Sequence, residues 1–259
     1  MAGTLAALGG LEGVPSAFAA ARDAIDLVLR DRGLRRTTPA TTAESLLRGA
    51  HASAVLDGSV SSLAEVREGR GDQVAGRSLR LSTELLRLAP LLRTAPLQAL
   101  ARIHAILAAG GPPDQTGRPR DAEAAARLRE LGSMLVDPVA EPALLLAALV
   151  HAELHTGAPF ASHNGLVARA TERLVLAARG VDEKSLVVPE AGHLALRAAY
   201  ESNLRGFRDG GRAGVHGWLL YAASAYTEAA AASPLAQQEN PDPGMRAAPD
   251  SQSDAAADT

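Results

Sequence analysis

The sequence contains no cysteine, and this absence excludes two kinds of site. Across 259 residues there is no thiol to form a disulfide or to bind zinc as a thiolate. Aromatic residues are also scarce, at 3%, so alanine, leucine and valine must supply most of the core. Because aromatic residues favour strands while alanine and leucine favour helices, this balance predicts a mostly helical protein.

Other absences limit the partners and the location. The formal net charge is −3, which argues against nucleic acid or an anionic membrane as the main partner. The chain has no run of about eighteen apolar residues that could cross a bilayer. Its first residues lack the charged and apolar regions of a secretion signal. We therefore expect a soluble, cytoplasmic protein.

Helical periodicity runs through most of the chain and predicts an all-α fold. In the first segment the apolar residues from Phe18 to Leu29 recur on one helical face, and Gly33 closes the helix. The segment 141–157 is apolar nearly all round, which is typical of a helix at the centre of a bundle. We predict about nine helices, in residues 15–33, 41–58, 72–89, 97–111, 121–136, 141–157, 166–180, 190–207 and 215–232.

The chain is predicted to form one helical domain, residues 11–232. We expect residues 1–10 to be flexible and residues 233–259, rich in proline, glutamine and aspartate, to be a disordered tail. Within the domain, Thr41 and Glu44 have capping-box spacing, and Asp137-Pro138 is predicted to end a helix.

Common catalytic motifs are absent, and one pair of histidines could bind a metal. There is no GxxxxGK[ST], GxGxxG or GxSxG pattern. His151 and His155 lie four residues apart, but a zincin needs Glu where the chain has Ala152. A third ligand would have to come from Glu153 or His163. We therefore predict no metal site and treat the two histidines as structural.

A loop after this helix has the form of an anion site. Asn164 can cap the helix that follows, and the first N–H groups of a helix attract anions. Arg169, just over one turn later, would add charged donors. The alternative interpretation is a capped helix with an arginine on the surface.

The same loop resembles the motif of the Fic family, HPFx(D/E)GNGRxxR. The segment "APFASHNGLVAR" matches it at five positions, and His151 precedes it by the seven residues that the family pattern asks for. The matching residues are Pro159, Phe160, Asn164, Gly165 and Arg169.

Two further segments resemble parts of the same family in the same order. "SAVLDG", from Ser53 through Asp57 to Gly58, is similar to the inhibitory-helix motif (S/T)xxxE(G/N) and lies in the predicted helix 42–58. The stretch from Arg102 to Arg120 resembles the approach to the target-docking flap, although the flap itself is short.

The resemblance implies an all-helical protein that transfers AMP from ATP to a protein hydroxyl. In the family a histidine acts as general base, an acidic residue holds Mg²⁺, a Gly-Asn-Gly nest cradles phosphates and two arginines hold the outer phosphates. Here the degenerate motif 158–169 has Ala158 for the base, Ser162 for the metal ligand, His163 for the first nest glycine and Leu166 for the first arginine.

These departures predict the loss of ordinary AMP transfer. Removing a general base costs about 10²–10⁴ in rate, and losing a phosphate-binding arginine can cost as much again. A neutral Ser162 would hold Mg²⁺ only weakly. His163 and His155 are the candidates for a substitute base, and His163 carries a Cβ that restricts the positive φ angles a nest needs.

Three functional hypotheses follow. The first is a degenerate Fic protein that binds ATP, another nucleotide or another phosphorylated ligand through residues 162–165 and Arg169. In it Asp57 pairs with Arg169 and closes the site. The alternative is that the Asp57–Arg169 pair only fastens two helices. Because Asp is shorter than Glu, the helices must lie closer or a water must bridge. The second is an atypical nucleotidyl or phosphoryl transferase. The third is an interaction scaffold, as a homodimer or with another protein.

Overall fold

The computed structural model describes residues 7–30, 37–136 and 142–237. Within these ranges the chain forms thirteen α-helices and one 3₁₀ turn, Leu86–Leu88. The helices are α1 Val14–Val28, α2 Pro39–Leu56, α3 Leu63–Arg67, α4 Gln73–Leu85, α5 Ala89–Thr94, α6 Pro96–Leu107, α7 Ala122–Val136, α8 Ala143–Gly157, α9 Asn164–Ala178, α10 Pro189–Ala195, α11 Arg197–Asp209, α12 Gly211–Ala231 and α13 Pro234–Gln237.

The prediction of an all-α fold is confirmed, since the described residues contain no strand. Nine of the thirteen helices have twelve residues or more and correspond to the nine predicted segments. One prediction was wrong in detail, because residues 190–207 form two helices that break at Leu196. α10 packs so closely on α12 that a Cβ on Gly192 would lie 2.1 Å from the Ala225 carbonyl oxygen, which fixes the direction of α10 separately from that of α11.

Two adjacent helices form the centre of the bundle. Every residue of α8 from Leu144 to Ala152 is buried, as its apolar sequence predicts. α9 is buried from Leu166 to Ala177, although this stretch includes two arginines and a glutamate. The interior around α9 must therefore provide partners for charged groups.

The start of α2 differs from the predicted capping box. The N-cap is Thr38 and its partner is Thr41 at the third helical position, with Pro39 as the first helical residue. Proline is well suited to that position because its missing N–H would have no acceptor there. Glu44 pairs instead with Arg48 and Arg67, at 2.8 Å each.

The ordered structure continues past the predicted domain end at residue 232. Leu235, in α13, is 2% exposed and packs in the main core, so the short helix is held by burial of this side chain. Residues 238–259 of the predicted tail, Gly33, and Asp137-Pro138 lie outside the described residues. No helix in the described ranges is both long enough and apolar enough to span a membrane.

Candidate functional site

The loop between α8 and α9 is held in one conformation by its own residues. Ala158 and His163, at its two ends, both have left-handed backbone angles, with φ of 42° and 58°. The Asn164 side chain spans the loop, accepting from the Phe160 N–H and donating to the Phe160 carbonyl, both at 2.9 Å. Phe160 is buried. The Cβ of His163 thus does not prevent the positive φ, because the surrounding contacts hold the turn.

Asn164 does not cap α9, contrary to the prediction. The N-cap is His163, which makes no side-chain capping bond, and Asn164 is the first helical residue. Only Val167, three residues later, has its N–H bonded, to the His163 carbonyl at 2.9 Å. The N–H groups of residues 164–166 have no hydrogen-bond acceptor within the described ranges.

Arg169 is inside the protein, so the interpretation of a surface arginine was wrong. Its side chain is 1% exposed. Its guanidinium donates to the Ser53 hydroxyl at 2.8 Å, the Ser53 carbonyl at 3.0 Å and the Tyr200 hydroxyl at 3.1 Å. It also donates directly to the Asp57 carboxylate. No bridging water is needed, because α2 approaches α9 closely enough for the shorter aspartate.

The end of α2 positions Asp57. Gly58, with φ of 94°, ends the helix in a Schellman motif, in which its N–H and that of Ser59 bond back to Val55 and Ala54. Asp72, the N-cap of α4, then accepts from the Ser59 hydroxyl at 2.7 Å. The Asp57 carboxylate consequently lies over Gly165, where a Cβ would be only 2.6 Å from its oxygen.

Small residues let α2 lie against two arginines of α9. Ser45, Gly49 and Ser53 share one face of α2, four residues apart. A Cβ on Gly49 would lie 2.5 Å from the Arg173 guanidinium. Arg173, 2% exposed, is paired with Glu190 at 2.6 Å. One face of α2 therefore covers both buried guanidinium groups.

Beneath Arg169 lies a buried polar network centred on Glu172, which is 0% exposed. One carboxylate oxygen accepts from His151 at 2.8 Å and from His193 at 2.9 Å. The other oxygen accepts from Tyr226 at 2.8 Å. Burial alone would raise the pKa of Glu172, but the two histidines that face it hold that pKa below its ordinary value.

Tyr200 connects this network to Arg169. Because a guanidinium can only donate, the Tyr200 oxygen accepts from Arg169 and its hydroxyl donates to His151, at 2.9 Å. His151 then donates from its other nitrogen to Glu172. Burial lowers the pKa of His151 to about 4, which fits the neutral tautomer that this direction requires. Burial likewise raises the pKa of Tyr200 to about 12.

The nitrogen and oxygen atoms that converge here also have the composition of a metal site. His151, Glu172 and His193 each place one such atom within 4.8 Å of the others. Their separations of 2.8 and 2.9 Å are hydrogen-bond lengths, whereas ligands around tetrahedral zinc lie about 3.3 Å apart. We therefore interpret the cluster as a hydrogen-bond network.

The metal ligands considered from the sequence, His151 and His155 with Glu153 or His163, do not form a site. Glu153 instead lines a cleft of about 560 Å³ between α7 and α8.

The two candidate bases are both poorly placed to accept a proton. The His155 ring packs 6.2 Å from that of His151 and 5.8 Å from that of Tyr200. Burial, followed by the electrostatic influence of His151 and Arg169, lowers its pKa to about 3. His163 accepts from Arg77 at 3.2 Å, and burial and Arg77 lower its pKa. Depressed pKa values make both imidazoles weak bases.

The remaining motif positions lack the groups that the resemblance would need. Ala158 has only a methyl group, and Ser162 is exposed. Leu166, 2% exposed, packs in the main core.

The fold resembles that of known structures. A Fic family protein from Desulfovibrio desulfuricans G20 superimposes with a TM-score of 0.72, over 89% of this chain and 76% of that chain, at 16% identity. Fic-1 from C. elegans gives 0.64, over 83% and 69%, at 16% identity. A point variant of Fic-1 gives 0.60, over 82% and 70%, also at 16% identity. The chain has the Fic fold.

This likeness concerns the Fic fold and not the activity, because the identity is low. No family model matches the sequence, and no curated protein matches it. The sequence pattern indicated the loop and the Asp57–Arg169 contact, which forms, but it gave no signal for Glu172, Tyr200 or Arg77. None of these three belongs to a motif, and only folding brings them to the site.

The buried histidines predict that acid destabilises the protein. Their pKa values, about 4 for His151 and about 3 for His155, lie below the ordinary value of 6.5. Unfolding therefore takes up protons below pH 6.5, and stability present at neutral pH falls as the pH falls toward 4. Between pH 7.5 and 5 we expect a loss of about 2–4 kcal/mol in urea unfolding. His155→Gln should reduce this loss by about half. An unchanged loss would contradict the attribution of the acid sensitivity to His155.

Proposed function

We propose that this Fic-fold protein binds an anionic ligand, a nucleotide or another phosphorylated compound, at the start of α9. The supporting observation is the Asp57 carboxylate, which lies over Gly165 and pairs with the buried Arg169. A carboxylate can stand in for a phosphate oxygen, and the N–H groups of residues 164–166 at the start of α9 have no acceptor in the described ranges.

The proposed site binds its ligand without ordinary AMP transfer. Ala158 supplies no base, and the two nearby imidazoles have depressed pKa values. Ser162 supplies no charge for Mg²⁺. We infer a binding protein in which α2 and the ligand compete for Arg169. There are two competing proposals. One is a transferase, and the other is a protein in which the Asp57–Arg169 contact only holds α2 against α9.

Replacing Asp57 with alanine tests the proposal. Because the variant frees one side of Arg169 and removes a negative charge from Gly165, we expect binding of ADP or ATP to tighten by about tenfold or more over wild type. Calorimetry with ATP, ADP, AMP and orthophosphate measures this. Asp209→Ala, an exposed aspartate paired with Arg208 at 2.8 Å, is the matched control and should change nothing.

Failure of both proteins to bind any of these compounds at millimolar concentration would remove the ligand hypothesis and favour a scaffold. Label transferred from nucleotide to any protein in a lysate would favour the transferase.

A further inference from the structure

Arg77, on α4, brings a second guanidinium to the loop that the family motif does not include. One of its nitrogens donates to the Leu107 carbonyl at the end of α6 and to His163 at 3.2 Å. Because His163 is the N-cap of α9, this contact brings Arg77 to the side chain at the start of that helix.

The charge of Arg77 is not balanced by a carboxylate. It is half-buried, and none of the ion pairs in the described part of the chain includes it. Its Nε and second terminal nitrogen, with three N–H groups, have no acceptor among the described residues. A half-buried guanidinium with free donors is best satisfied by an anion.

A second donor near the loop lacks a regular hydrogen bond. His104 is 1% exposed and stacks on Phe160, with ring centroids 4.4 Å apart. Its Nδ1 accepts from the Gly117 N–H at 2.9 Å, so in the neutral ring the proton is on Nε2. That Nε2 is buried and faces the Ser162 backbone, but the contact does not have the geometry of a regular hydrogen bond. Among the residues described, a buried donor without a regular hydrogen bond is rare enough to require an explanation.

The two sets of donors have different partners. Arg169 and Gly165 meet the Asp57 carboxylate, whereas Arg77 and His104 meet the side chain of His163 and the backbone of Ser162. One carboxylate satisfies the first set and leaves the second without an anion. A ligand that satisfied both would carry two linked anionic groups.

We propose that Arg77 forms a second anionic subsite, which compensates for the arginine missing at Leu166 and selects a diphosphate-containing ligand. This inference rests on the proposed function and adds the class of ligand. Arg77 holds one phosphoryl group. After Asp57 of α2 has released Arg169, this arginine and the start of α9 hold the other.

The experiment uses the full chain carrying Asp57→Ala and four probes: orthophosphate, pyrophosphate, AMP and ADP. Arg77→Ala in this background should weaken pyrophosphate and ADP by about tenfold or more, and orthophosphate and AMP by less than about twofold. Arg77→Lys should restore part of the loss. Arg80→Ala, one turn along the exposed side of α4, is the charge-matched control and should leave all four affinities unchanged.

Arg77→Gln separates binding from folding, since it keeps a donor for the Leu107 carbonyl and removes the charge. It should fold like its parent and bind like Arg77→Ala. Equal affinities with and without Arg77, or an equal loss for all four probes, would overturn the second subsite while leaving the proposed function in place. If Asp57→Ala binds none of the four, both proposals fail.

Discussion

Glu172→Ala is expected to lower the free energy of unfolding by about 3–5 kcal/mol. The substitution leaves donors from His151, His193 and Tyr226 without their acceptor in a fully buried place and opens a cavity there. Because Tyr200 links His151 to Arg169, the change should also loosen the floor of the candidate site. Urea unfolding followed by circular dichroism measures the effect.

Two variants make this test specific. Glu172→Gln keeps the size and one acceptor oxygen, so its loss should be smaller than that of the alanine variant. Glu201→Ala removes an exposed glutamate that pairs with Arg197 at 3.0 Å, and it should cost less than about 1 kcal/mol. If Glu172→Ala is no less stable than Glu201→Ala, the buried network is not the structural centre that the hydrogen bonds indicate.

Glu190→Ala is the second change with a large expected effect, about 3–5 kcal/mol. It leaves the Arg173 guanidinium, 2% exposed, without its carboxylate and with only hydroxyl and carbonyl partners from Ser45 and Ser185. Since Gly49 of α2 packs against both members of the pair, α2 should also detach more easily. Urea unfolding gives the stability, and limited proteolysis near Gly49 reports the detachment.

The double variant Arg173→Met with Glu190→Leu distinguishes an unpaired charge from simple loss of packing. Replacing both partners with apolar side chains removes the buried charge, so most of the stability should return. A double variant as unstable as Glu190→Ala would show that shape, and not charge, dominates at this position.

The sequence was informative where the structure depends on local pattern. The apolar run of α8 predicted its central place, and the period of the other segments predicted the helices. The Asp57–Arg169 contact was foreseen through the Fic resemblance, although these residues are 112 positions apart. Without that resemblance the spacing within the loop predicted only a capped helix and a surface arginine.

The burial of charged residues on α9 could not be predicted from the sequence of that helix. In the sequence, Arg169, Glu172 and Arg173 have the composition of a solvent-facing helix side. Their partners lie far along the chain, such as Ser53 at 116 positions from Arg169 and Tyr226 at 54 positions from Glu172. These charges can be buried because α2, α8, α10, α11 and α12 pack around α9 and supply their partners.

The role of Asn164 shows a different limit of prediction from the sequence. Asparagine before a helix predicts a side-chain cap. Here the turn at His163 has already ended the loop, so the amide reaches back to both polar groups of Phe160. The residue type indicated a hydrogen bond to the backbone, but its direction depends on the fold of the loop.

The most direct test of the proposed anion site is a nuclear magnetic resonance titration of ADP into Asp57→Ala, followed at individual backbone amides. We predict that the amide resonances of Asn164, Gly165 and Leu166 shift, together with the guanidinium resonance of Arg169, and that wild type shifts less at the same ADP concentration. Saturating shifts confined to other surfaces, or none at these amides in either protein, would contradict the proposal that the start of α9 binds phosphate.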